Sequence, residues 1–118
     1  MENNVYSEIT PDIIKLASLS EKAGIIDSEL FTRYEVKRGL RDLNGKGVLA
    51  GLTNISDIRA NKIVDGVAVP DHGNLFYRGY NVRDLVTGFA KENRFGFEEV
   101  TYLLLFDQLP AEKELRNF

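Results

Sequence analysis

At 118 residues, with 43% hydrophobic and 28% charged residues, the chain has the make-up of one globular domain. Cysteine is absent, which excludes disulfides and thiolate metal sites; no apolar run approaches a membrane span, and the acidic start MENNVYSEIT is not a secretory signal. A formal net charge of -3 argues against a dedicated nucleic-acid binder, and the cytoplasm is the expected location.

Residues 1–34 read as a helical lead-in. Thr10 followed by Pro11 is an N-cap and a first-turn proline, with Asp12 well placed near the helix N-terminus. Ile13, Leu16, Ala17 and Ser20 fall on one face, and Gly24 ends the helix. Asp27 predicts the N-cap of a shorter helix carrying Leu30 and Phe31.

Residues 35–80 change character. The stretch RGLRDLNGKG opens a basic turn: from Arg33 to Lys62, seven bases (Arg33, Lys37, Arg38, Arg41, Lys46, Arg59 and Lys62) face only Glu35, Asp42 and Asp57. A local positive excess around glycines suits an anionic small molecule, or a solvated face paired with acids elsewhere. It is not a Walker loop, because five residues separate Gly39 from Gly45 and Gly47 stands where a hydroxyl is needed. VLAGLTNISDIRANKIVDGVAVPDHGNLFYRGY then predicts short antiparallel strands with turns at Ala60-Asn61 and Pro70–Asn74. The lone histidine, His72, is expected in that second turn, exposed and without catalytic neighbours.

Residues 81–118 return to helices. Asn81 caps one that should bury Val82, Leu85, Val86, Phe89 and Ala90. FGFEEVTYLLLF is a second, whose end is apolar on nearly all sides and so expected to be buried all round. Pro110 opens a third, PAEKELRNF. Glu98 and Glu99 are adjacent, about 100° apart on a helix, and read as favourable first-turn acids rather than a catalytic pair. The basic segment has only Tyr34 among its bases, which disfavours a nucleic-acid surface. EKELRNF lacks a C-cap, so the stretch is expected to be a fragment of a longer protein. The fold class expected is mainly α with a small antiparallel β meander.

Three blocks in order, VKRGLRDLNGKGVLAGLTNISDI, GNLFYRGYNVRDL and FGFEEVTYLLLFDQLPAEKEL, resemble the N-terminal part of the citrate synthases. The resemblance covers roughly Tyr34 to Phe118. It departs at Asp107, where the family commonly has Gly. It implies that residues 1–118 are the N-terminal part of the large domain of a multihelical fold. It implies a homodimer that condenses acetyl-CoA with oxaloacetate, with acetyl-CoA as cosubstrate and neither metal nor tightly bound cofactor. 2-Methylcitrate synthases share the pattern.

The family's two histidines and aspartate have no match in this chain, so the resemblance implies no catalytic residue within it. Arg41 matches the arginine that approaches the phosphates of coenzyme A, with Arg38 and Lys46 as weaker candidates. For Arg78-Gly79-Tyr80, a strand-to-helix corner is expected in preference to a substrate contact. The rival reading is a stand-alone interaction or anion-binding domain with the same fold.

Overall fold

The computed structural model describes residues 7–37, 39–42, 45 and 47–118. Arg38 and Lys46 lie outside the described residues.

Helix α1 runs from Pro11 to Ala23, and the Thr10 hydroxyl accepts the Ile13 N–H at 3.3 Å, as a Thr-Pro start requires. Gly24 closes it with an N–H to the Ser20 carbonyl. The face turned from water is Leu16, Leu19 and Ala23; Ile13, Ala17 and Ser20 are exposed, a correction to the expected stripe. The short α2, Ser28–Arg33, starts where Asp27 accepts the Glu29 N–H at 2.9 Å.

The meander is one sheet of β1 (Ser56–Val64), β2 (Val67–Tyr77) and β3 (Tyr80–Asn81), antiparallel in that order. Its long hairpin turns at Asp65-Gly66, where φ is +50° and +78°. Positive φ at both central residues marks a type I′ turn, for which Asp-Gly is a favoured pair. The expected turns at Ala60-Asn61 and Pro70–Asn74 are therefore corrected: both lie inside strands. The register explains the signal that misled. Arg59 faces Asn74 and Asn61 faces Pro70, so three residues of β2 oppose Ala60 alone. Proline, glycine and asparagine here mark a bulge, which tolerates a missing donor, and not a chain reversal. A second two-residue turn, Arg78-Gly79, joins β2 to β3 with φ of +45° and +83°.

Helix α3, Val82–Lys91, is capped by Asn81, whose side chain accepts the Arg83 N–H at 2.9 Å. Leu85 is buried and Val82 and Phe89 are half-buried; Val86 and Ala90, expected inside, are exposed. Helix α4, Phe97–Phe106, ends at Asp107 in the left-handed conformation (φ +59°). Aspartate there supplies what glycine supplies more cheaply. Helix α5, Glu112–Asn117, begins two residues after Pro110; Glu114 reaches back to the Ala111 N–H at 3.0 Å, half of a capping box.

The core is small: Tyr102, Leu103 and Phe106 of α4 with Leu85 and Ala23. Tyr102, Phe106 and Phe118 meet edge to face at centroid distances of 4.7 to 5.8 Å. Burial is thus concentrated on α4, but Leu105 stays exposed, a correction to the expectation that the apolar end of this helix is buried all round. Lys15 ties α1 to α5 through Glu114 at 3.1 Å. The Ala111 N–H, and then Lys15, hold the Glu114 carboxyl below the usual carboxylate range. The radius of gyration, 19.2 Å, exceeds the roughly 13.5 Å of a compact chain this long, because the β1–β2 ribbon projects from the helices.

Two glycines give a paired test of this packing. A Cβ on Gly96 would stand 2.1 Å from the Phe89 ring, whereas one on Gly88, inside α3, meets nothing within 4 Å. Gly96→Ala should cost about 1–3 kcal/mol by displacing Phe89. Gly88→Ala should gain about 0.5–1 kcal/mol of helix stability. Urea unfolding of the two variants reads both; equal effects would contradict the α3–α4 packing.

Candidate functional site

The basic turn is built by backbone bonds. Lys37 N–H donates to the Leu49 carbonyl at 2.8 Å, Val48 N–H to Leu40 at 3.3 Å, and Arg41 bridges Gly47 in antiparallel fashion. Gly45 N–H closes back on Asp42 at 2.9 Å. Gly39 and Gly45 have φ of +97° and +78°, with open space where a Cβ would stand. Their glycines serve backbone geometry, as a tight reversal demands.

Arg41 crosses this turn. Its Nη1 donates to the Gly45 carbonyl at 2.8 Å, and the residue is exposed. That bond occupies one of five guanidinium N–H donors, so the side chain is anchored at one end of its fork. An anchored, exposed guanidinium loses less freedom on meeting a phosphate than a free one.

Arg78 stands in a different situation, one the sequence did not announce. Its side chain is only 3% exposed. Nε and Nη2 donate to the Leu104 carbonyl at 3.1 and 2.8 Å; Nη1 donates to the carbonyls of Ala23 at 3.0 Å and Asn54 at 3.3 Å. Ala23 and Leu104 belong to the last turns of α1 and α4, whose carbonyls lack helical partners and carry partial negative charge. One guanidinium therefore closes two helix C-termini and the loop before β1. Asn54 reinforces the junction, its amide donating to Ala23 O at 2.8 Å. The corner reading of Arg78-Gly79-Tyr80 holds for Gly79, while Tyr80 is exposed and does not anchor the corner.

The remaining candidates separate plainly. His72 is exposed, as expected, but lies in the β2 bulge and not in a turn; its N–H meets Asp71 Oδ1 at 2.9 Å. Glu98 and Glu99 do sit in the first turn of α4, and Glu99 pairs with Arg94 at 2.8 Å. Among the described residues no cluster of His, Asp and Glu could hold a metal ion, and no helix is long and apolar enough to cross a membrane. An open groove of about 400 Å³ runs along Leu49–Asp57 and ends at Phe76 and Arg78; Arg41 is not among its lining residues.

The family profile described as "Citrate synthase, C-terminal domain" matches residues 40–118, a span that opens one residue before Arg41. The chain belongs to the citrate synthase family. It is 37% identical over 84 residues to 2-methylcitrate synthase 1 of Corynebacterium glutamicum, an alignment covering 71% of this chain and 16% of that protein. It is 34% identical over 84 residues to the citrate synthase of Thermoplasma acidophilum, covering 71% and 17%. With the citrate synthase of Saccharolobus solfataricus the figures are 35% over 82 residues, 70% and 16%. The chain thus spans about one-sixth of the length of these relatives. No solved structure gives a significant match. For a citrate synthase-family chain, the Arg41 turn and the Arg78 clamp lie in the matched span, one exposed and one buried.

Proposed function

We propose that the chain is the N-terminal segment of the large domain of a citrate synthase, a cytoplasmic homodimer that joins acetyl-CoA to oxaloacetate. Its own part is to build scaffold and to offer Arg41 to the phosphates of coenzyme A. The observation that carries this reading is the exposed Arg41, held by Gly45 on a backbone-closed turn at the start of the family-matched span. The forked guanidinium suits phosphate oxygens. Arg78, the other arginine of the resembling blocks considered for a substrate contact, is engaged by three carbonyls and supports structure instead. Arg38 and Lys46 flank Arg41 in sequence and are weaker candidates for the same phosphates. Relatives of both names match at similar identity, so the proposal extends to condensation giving 2-methylcitrate.

The chemistry itself needs a base to take the thioester's methyl proton and donors for the two carbonyl oxygens. No residue here matches the family's two histidines and aspartate. The purified 118-residue chain is therefore expected to release no free thiol from acetyl-CoA with oxaloacetate. Turnover that survives removal of host enzyme would overturn the scaffold role. Tight binding of coenzyme A or ATP by the same chain would favour the stand-alone anion-binding reading.

A further inference from the structure

Residues 25–53 leave the helical body after α1 and return to it before β1, carrying α2 and the Arg41 turn between. None of the described residues of this lobe is buried; Ile26, Leu30, Val36, Val48 and Leu52 are at most half-buried. An open groove of about 470 Å³, lined among others by Ile25, Leu30, Tyr34 and Leu52, parts its outgoing and returning limbs. With no buried apolar side chain to hold it, such a lobe depends on hydrogen bonds for its position.

Those bonds fall in two places. Near the turn, Lys37 N–H to the Leu49 carbonyl and Val48 N–H to the Leu40 carbonyl join the two limbs. At the neck, one side chain joins them. Asn54 Nδ2 donates to the Ala23 carbonyl at 2.8 Å and to the Ile25 carbonyl at 3.4 Å, so the returning limb is bonded where the outgoing limb begins. The Asn54 carbonyl accepts from Arg78 Nη1 at 3.3 Å, and the Ile55 carbonyl accepts the Arg78 N–H at 2.8 Å. Asn54 therefore binds both ends of the lobe to each other and to the body.

We propose that Asn54 is a positioning residue for Arg41: its amide closes the neck of the lobe and so sets where the Arg41 guanidinium stands relative to the body. The inference rests on the coenzyme A reading of Arg41 given above, and Asn54 acts only through Arg41. Without the amide the lobe pivots at residues 24–27 and 51–53, and Arg41 is in place for a smaller fraction of the time. Apparent affinity falls by that fraction.

In the full-length citrate synthase proposed above, Asn54→Ala should raise the acetyl-CoA KM about threefold to tenfold, the bias of one hydrogen bond, and move the oxaloacetate KM less than about twofold. The variant should fold, because the Ala23 carbonyl keeps Arg78 Nη1. Asn54→Leu, close in size and without a donor, should match it. In an Arg41→Ala background, Asn54→Ala should add less than about twofold, since nothing is left to position. Leu85→Ala, which opens the buried core, should lower Tm at least as much as Asn54→Ala yet leave the acetyl-CoA KM within about twofold. An acetyl-CoA KM raised by Arg41→Ala but unmoved by Asn54→Ala would overturn the positioning role and leave that of Arg41 standing. Equal losses from Asn54→Ala with and without Arg41, a Leu variant with the parent's KM, or a KM raised as much by Leu85→Ala would overturn it too. An acetyl-CoA KM unmoved by Arg41→Ala would remove the Arg41 reading itself, and the role of Asn54 with it.

Discussion

Arg78→Ala is expected to be the most damaging single change in the described part of the chain. It strips a charged donor from the carbonyls of Leu104, Ala23 and Asn54 at once, two of them at helix C-termini. Ala23 O keeps the Asn54 amide and the exposed Asn54 carbonyl can turn to water, so the Leu104 carbonyl bears most of the cost; an unpaired buried carbonyl costs about 1–3 kcal/mol, and a loss of about 2–3 kcal/mol follows. Thermal unfolding should shift down by about 10 °C. Arg78→Gly separates the clamp from the turn. Glycine suits the positive φ of position 78 (+45°) but restores none of the four bonds. It should remain severely destabilised. A Gly variant as stable as the parent would show that residue 78 matters only as a turn residue, and the clamp would be abandoned.

Arg41→Ala should act on function and leave the fold nearly intact, because its one described bond closes an exposed turn. In the citrate synthase proposed above, losing a charge-assisted phosphate contact should weaken acetyl-CoA usage by about 1.5–3 kcal/mol, roughly 10- to 150-fold in kcat/KM. The oxaloacetate KM should hardly move. Arg41→Lys should recover only part of the loss, since an ammonium keeps the charge but not the fork. An unchanged acetyl-CoA KM in a folded Arg41→Ala enzyme would assign Arg41 to loop closure alone.

What is legible in the sequence follows the range of the interactions. Thr10, Asp27 and Asn81 each cap a helix through an N–H two or three residues away, so a short window contained both partners. Asp107 likewise ends α4 by a local backbone choice. The hairpin turn at Asp65-Gly66 carries a strong signal, but Pro70–Asn74 displays more breakers, and its bulge needs the same residue types as a turn. The Arg78 clamp could not be read at all: its acceptors are backbone carbonyls 24 to 55 residues away, and a carbonyl leaves no mark in sequence. The buried stripe of α1 was shifted for a related reason. Helical period alone defines possible faces, but packing against α4 selects Leu16, Leu19 and Ala23.

The central claim is that these residues work as part of a citrate synthase, and the size of the native protein tests it most directly. An antibody raised against α4 and α5 should detect, in cells that make this sequence, a polypeptide several times larger than 13.3 kDa. Immunoprecipitation with that antibody should carry with it the condensation of acetyl-CoA with oxaloacetate. A native product of 13.3 kDa, with no larger species and no such activity, would contradict the account and favour the stand-alone domain.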